Sequence, residues 1–179
     1  MIALVRHGET DDNVPPLRVQ GTRDTPLNAT GRRQASELAE RVAAAPPAAL
    51  YSSQLARARE TAEIVGLAVG IEPVVDSRFA EGDRGRWEGK LFAEVEREDP
   101  DGWASWQRGG EGWRFPGGES LREQSERVLA ALADVRAAAL PALVVCHGGS
   151  IRVALCHFRG TGLDAFHSWT VPNVAVFPL

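Results

Sequence analysis

The chain has 179 residues, 44% of them hydrophobic and 25% charged, with a formal net charge of −4. That is the balance of a folded globular protein with one core, and its negative sign argues against non-specific nucleic-acid binding. No segment reaches the roughly 18 apolar residues of a membrane span, the two cysteines are too few for a disulfide scaffold, and no signal peptide is visible, so a cytoplasmic location is expected.

The chain opens on a short apolar run, Ile2 to Val5, read as a buried strand. In "PLNATGRRQASELAERVAAAPP", Ala35, Leu38, Ala39 and Val42 recur at helical spacing. Asn28 is suited to cap that helix, and Pro46-Pro47 stops it. Ala48 to Tyr51 make a second strand. "SSQLARARETAEIVG" forms a second helix with Leu55, Ala58, Ala62 and Val65 on one face, and Ile71 to Val75 a third strand.

Residues 76–118 change character. They are rich in glycine and hold Trp87, Trp103, Trp106 and Trp113, with short helices expected at Phe92–Glu98 and Trp103–Gln107. This stretch reads as an irregular cap insertion in a single domain spanning residues 1–179. Ser120 and Glu123 have capping-box spacing before a long helix whose apolar face carries Leu121, Val128, Leu129, Leu132 and Val135. Leu143 to Cys146 is a strand, Ile151 to Phe158 a helix, and Val174 to Phe177 a last strand. Strands alternating with helices predict an α/β fold, a three-layer α/β/α sandwich around a mainly parallel sheet.

In such sheets, ligands bind beyond the carboxyl ends of the strands. His7 and His147 each follow an apolar strand directly. If those strands are parallel neighbours, both imidazoles emerge at one edge. Arg6 precedes His7, and Gly8 would let the chain turn both side chains inward. Arg57, near the start of the second helix, supplies another cation, and helix N-termini add free N–H groups. Two arginines, two histidines and N–H donors form a cage for a phosphate dianion. Arginine suits it: Lys90 is the only lysine among the 20 basic residues. Neutral histidine is also a nucleophile, provided its second nitrogen keeps a proton on an acceptor. Glu81, in "RFAEGDRGRWEG", is the candidate acid for the leaving group. That role asks for a carboxyl pKa raised by burial or nearby anions.

The sequence resembles the histidine phosphatase superfamily, also called phosphoglycerate mutase-like. The resemblance rests on "LVRHGET", Asn13, "QGTRDTPLNATGRRQA", "YSSQLARARETA", "EGDRGRWEG", "PGGES" and "VVCHGGS", in that order along nearly the whole chain. It implies a phosphohistidine at His7, a phosphate pocket of Arg6, Arg57 and His147, and proton transfer by Glu81. It further implies phosphate or substrate contacts from Asn13, Gln20 and the backbone of Gly21 and Gly148. One departure is Asp83-Arg84, where the family often has an acidic residue followed by an aromatic. The Trp-rich stretch before "PGGES" resembles that of the superfamily's small-molecule phosphatases, α-ribazole phosphatases among them.

The expected activity is that of a histidine acid phosphatase-type phosphoric monoester hydrolase, needing no cofactor and no metal. Its partner would be a small phosphorylated metabolite, with no nucleic acid and no membrane; a homodimer is compatible with the sequence. The rivals are a phosphoglycerate mutase and a non-catalytic phospholigand-binding protein. Mutases of the family carry longer insertions and tails. Here about 40 residues separate the third strand from the long helix, and the chain stops just after its last strand, so water is expected to reach the intermediate.

Several residues have plainer readings. His157 and His167 are structural. Arg59 is a solvated helix residue or an ion-pair partner, and Glu88 and Glu119 hold loops by accepting backbone hydrogen bonds. Cys146 and Arg152 have the spacing of cysteine-based phosphatases, but Cys146 lies in an apolar strand, where an inert thiol is expected. The Cys-His pairs diverge too far to bind zinc. The tryptophans are expected to pack the insertion and to wall the site, with Arg108 and Arg114 near enough to meet substrate charge.

Overall fold

The computed structural model describes residues 1–179. Five strands form one sheet in the order β3-β2-β4-β1-β5. They are β1 (Ile2–Arg6), β2 (Ala49–Ser52), β3 (Val74–Val75), β4 (Ala142–Cys146) and β5 (Val176–Pro178). The first four run parallel and β5 is antiparallel to β1. This is the predicted mainly parallel sheet.

Side chains alternate across it with period two. Ile2 and Leu4 of β1 join Ala142, Val144 and Cys146 of β4 in one core. Val5 joins Leu143 and Val145 in the other. Each buried Leu, Ile or Val contributes about 1.5–3 kcal/mol, so slipping either strand by one residue would expose a whole apolar row.

Helices α1 (Ala29–Ala43) and α2 (Ala56–Val69) pack together and cover the second core. Helices α5 (Leu121–Ala137) and α6 (Gly148–Phe158) cover the first. The capping signals work as predicted. Asn28 accepts the Gly31 N–H at 2.8 Å, and Ser120 and Glu123 exchange bonds at the start of α5.

Several elements differ from expectation. The third strand keeps only Val74–Val75 of the expected Ile71–Val75. The last strand starts at Val176 because Val174 has φ +51°, a left-handed conformation that a β-branched residue cannot extend into a strand. Helix α6 starts three residues early, at Gly148, with two glycines in its first turn. Between the sheet and α5 lie α3 (Phe92–Glu98) and α4 (Pro100–Arg108). The latter is longer than expected because Asp99 caps it on the Gly102 N–H at 3.0 Å and Pro100 opens its first turn. The four tryptophans of this segment do pack together. The Trp87 ring lies 6.3, 6.0 and 5.4 Å from Trp103, Trp106 and Trp113, and its Nε1 donates to Asp99 at 3.1 Å.

No helix is long and apolar enough to cross a membrane.

Candidate active site

Strands β1 and β4 are direct neighbours in parallel register, Arg6 opposite Cys146. The His7 N–H continues the ladder onto the Cys146 carbonyl at 3.0 Å. The two strand-end histidines therefore sit side by side, with ring centres 5.2 Å apart. His7 lines a cavity of about 420 Å³, and His147 lies behind it.

His7 is 3% exposed, and its Nδ1 lies 2.6 Å from the Gly8 carbonyl oxygen. A carbonyl only accepts, so Nδ1 carries the proton and Nε2 keeps a lone pair. That lone pair accepts from Arg57 Nε at 3.2 Å. Burial first, then the charges of Arg57 and Arg6, lower the proton affinity of His7 well below the ordinary histidine range, so the ring is neutral at pH 7. Gly8 contributes by close approach, not by a special turn: a β-carbon there would collide with the Gly31 carbonyl of α1.

Arg57 is 1% exposed. Burying a guanidinium requires partners, and it has the carbonyls of Arg23 at 2.7 Å and Gly21 at 2.9 Å besides His7. Burial lowers its pKa to about 10, still far above neutral. Arg6 donates through Nη1 to the Val171 carbonyl at 2.6 Å, while its buried Nε has no partner.

His147 is fully buried and does not reach the cavity wall. Its Nε2 is 2.8 Å from Ser53 Oγ and its Nδ1 has no partner. Burial, and next the charge of Arg57, lower its proton affinity too.

Glu81 lines the cavity and accepts from Gly82 N–H, Gln124 Nε2 and Arg84 Nη2 on Oε1, and from Gly149 N–H on Oε2, all at 2.8–3.0 Å. The segment before it is latched to α5 by Arg127, which donates to the carbonyls of Arg78, Ala80 and Glu81 and pairs with Glu119. The raised carboxyl pKa expected from the sequence is absent. Burial pushes it up, but Arg84, the Gly149 and Gly82 N–H groups and Gln124 outweigh burial and bring it down to about 2. A β-carbon at Gly149 would meet Glu81 Oε1, so a larger residue there would push the carboxylate from its place.

Asn13, Gln20, Gly21 and Gly148 all line the cavity. Gln20 is held by Nε2 donating to Thr10 at 2.8 Å, and its Oε1 is buried without a partner. The walls are Leu17, Val19, Trp87, Phe92, Trp106 and Phe115, so two of the tryptophans both pack the insertion and face the site.

The sequence reading missed some of the wall. Arg18, Arg84, Arg152 and His167 line the cavity. His167, read as structural, bonds through Nε2 to the Trp106 carbonyl at 2.7 Å while facing the site. The only sequence signal at Arg152 is its spacing from Cys146; in the fold it faces the cavity with Nε donating to the Trp169 carbonyl at 2.9 Å. In contrast, Arg108 and Arg114 do not line the cavity. Arg108 bonds Ser105 at the surface, and Arg114 pairs with Glu123. Arg59 pairs with Glu63 one helical turn away, and Glu88 and Glu119 accept loop N–H groups as expected.

Cys146 is buried, and burial pushes its thiol pKa strongly up, leaving a protonated, inert sulfur. If the cavity turns over p-nitrophenyl phosphate, Cys146→Ala should keep that rate within about threefold; its loss in a folded variant would move the nucleophile to sulfur. No group of three His, Cys, Asp or Glu side chains is placed to hold a metal ion.

Five arginines against two carboxylates, Asp12 and Glu81, make this cavity an anion site built around a neutral imidazole. Fold and site together define a phosphate-handling α/β protein with paired strand-end histidines. The chain belongs to the histidine phosphatase superfamily (branch 1), whose family model matches residues 2–179. Members of that superfamily are phosphatases and mutases, so this is an enzyme family. A probable phosphoglycerate mutase GpmB from Salmonella paratyphi C is 41% identical over 133 residues, 74% of this chain and 61% of the relative. The chain thus spans about three fifths of the length of the curated relatives it matches. The mycobacterial glucosyl-3-phosphoglycerate phosphatase, solved in complex with VO3, superposes with a TM-score of 0.89 at 30% identity, covering 98% of this chain and 88% of that one. Phosphoserine phosphatase from Entamoeba histolytica, in complex with 3-phosphoglyceric acid, gives 0.86 at 25% identity, covering 98% and 87%.

Proposed function

We propose that the protein is a metal-independent phosphomonoesterase that hydrolyses small phosphorylated metabolites through a phosphohistidine at His7. The observation that carries this reading is the Nδ1–Gly8 bond, which leaves Nε2 unprotonated, its lone pair meeting only Arg57 Nε, a donor that the phosphoryl oxygens would take over.

The ester's phosphoryl group rests against Arg6, Arg57 and the Gly148 N–H. His147 stands behind the cavity wall, and its Nδ1, which meets no protein group, is the nitrogen that would donate to a phosphoryl oxygen seated deeper than that wall. Nε2 of His7 attacks phosphorus, and the bond to the leaving oxygen breaks in line with it. That oxygen takes its proton from Glu81. Glu81 is ionised in the free protein, so the proton arrives with the substrate, because a phosphate monoester near neutral pH is partly a monoanion. Water then attacks phospho-His7, Glu81 takes a proton from it, and the N–P bond breaks to release phosphate.

A mutase is the second reading, favoured by the relatives named probable phosphoglycerate mutase. The apolar and aromatic walls favour a hydrolase for a bulkier ester over a mutase for a compact sugar acid. Mere binding of a phospholigand would need neither a nucleophile nor an acid.

The test runs the protein with 3-phosphoglycerate and 2,3-bisphosphoglycerate, and separately with a panel of phosphomonoesters, following isomerisation and free phosphate. Free phosphate from at least one ester, unaffected by EDTA and suppressed by vanadate, is expected. Rapid 2-phosphoglycerate formation with little phosphate release would make the protein a mutase. Loss of activity in EDTA, restored by Zn²⁺ or Mg²⁺, would end the metal-free reading.

A further inference from the structure

Glu81 and Arg84 form the most buried ion pair of the protein, at 14% and 9% side-chain exposure, and both line the cavity. A general acid gains nothing from a cation in contact with it, since a cation favours the ionised form. The pairing therefore calls for another explanation.

The donors around Glu81 are distributed unevenly. Arg84 Nη2, Gln124 Nε2 and Gly82 N–H all converge on Oε1, whereas Oε2 accepts only the Gly149 N–H. An ionised carboxylate offers about two lone pairs on each oxygen. Oε1 is thus saturated, and Oε2 has one lone pair left.

Arg84 is itself fixed. Its guanidinium carbon lies 4.3 Å from the centre of the Phe115 ring, and its backbone N–H is held by Glu88 at 3.0 Å. Glu88 is tied in turn to the Thr22 N–H at 2.7 Å. The guanidinium is placed by the Phe115 ring on one side and by Glu81 on the other, its Nη1 having no partner, and in this position it holds Oε1.

We infer that Arg84 is a positioning residue for the proposed reaction: by holding Oε1 it locks the Glu81 carboxylate and leaves Oε2 as the one oxygen open to a proton. This rests on the reading of Glu81 as the proton-transfer group. The other charges that act on Glu81 come from Arg6 on β1, Arg57 on α2 and Arg152 on α6, with His7 beside them and Arg127 of α5 on its main-chain carbonyl. Of these cations, Arg84 alone contacts the carboxylate. Its contact is also the leading cause that keeps Glu81 ionised against burial. Free enzyme therefore holds no proton on Glu81 at neutral pH, and a substrate must bring it.

Two variants test this. Arg84→Met removes charge and donor but keeps the packing on Phe115; Arg84→Gln keeps a donor and loses the charge. The first readout is the side-chain carboxyl ¹³C titration of Glu81, assigned by its loss in Glu81→Gln. The parent carboxyl is expected to stay ionised into strong acid, and to titrate higher by about one pH unit or more in the variants. The second readout is kcat/KM on an alkyl phosphate and on p-nitrophenyl phosphate. Arg84→Met should lose about tenfold on the alkyl ester, whose leaving group needs the placed proton, and less than about threefold on the aryl ester. If Arg84→Met does not fold, Arg84→Gln decides, by the same shift and a smaller alkyl-selective loss. An unmoved Glu81 titration in a folded variant overturns the inference. So do equal losses on both esters, which would make Arg84 a phosphate ligand. If Glu81→Gln keeps the parent's rate on the alkyl ester, the proton-transfer reading falls and takes this inference with it. If Glu81→Gln loses that rate but the Arg84 variants titrate like the parent, only the inference falls.

Discussion

His7→Ala is expected to lose about 10⁴-fold or more in turnover on every phosphomonoester, because removal of a nucleophile leaves only binding and electrostatic help. Enzyme quenched during turnover should carry a phosphoramidate, labile in acid and stable in alkali, that is absent from the variant. The geometry favours nitrogen over sulfur for the proposed role. The His7 ring is neutral at pH 7 because burial and two guanidinium groups disfavour its cation, whereas Cys146 keeps its proton. The sign of the shift sets the pH dependence. A histidine whose pKa is lowered stays a competent nucleophile as pH falls through 6.5 and fails only in stronger acid. An ordinary activity loss centred near 6.5, traced to His7 by NMR, would contradict the buried neutral ring. If His7→Ala retained turnover while Cys146→Ala lost it, the cysteine would be the nucleophile.

Glu81→Gln is expected to lower turnover on alkyl phosphates by about 100-fold or more, and much less on p-nitrophenyl phosphate, whose leaving group scarcely needs a proton. The amide has the shape of the carboxylate but cannot deliver or accept the proton. It also leaves Arg84 and the Gly149 N–H facing a neutral group. Glu81 acts twice in the proposed cycle, so slow hydrolysis of phospho-His7 would lower the aryl rate as well. A burst of p-nitrophenol equal to the enzyme concentration, followed by slow release, identifies that step. Equal losses on both esters with no burst would remove Glu81 from proton transfer.

The apolar runs before Arg6 and His147 and the alternation of strands with helices were enough to define the parallel α/β sheet. The convergence of both histidines at its carboxyl edge then depended only on β1 and β4 being neighbours, which the register Arg6–Cys146 establishes. Local signals of this kind survive folding because capping, periodicity and chain termination act over a few residues. Asn28 and the Ser120–Glu123 pair behave in the fold as they read in the chain. Nothing local in the sequence marks Val174 as a β-branched residue that the fold holds at positive φ, outside the last strand.

What surrounds the reactive groups was decided elsewhere. The ionisation of Glu81 is the clearest case. From the sequence, an acid near a phosphate site asked for a raised pKa, yet the carboxyl sits at about 2. The reason is that its donors come from three separate parts of the chain: Gly82 and Arg84 beside it, Gln124 on α5 and Gly149 at the start of α6. Arg152 and His167 reach the cavity, while Arg108 and Arg114, nearer in the chain to the tryptophans, turn to the surface. Charge and proton affinity depend on distances between segments far apart in sequence. The sequence therefore determined the sheet, the strand-end histidines and the residue types of a phosphate cage. Only the tertiary structure decided which cation touches the acid and where its proton can sit.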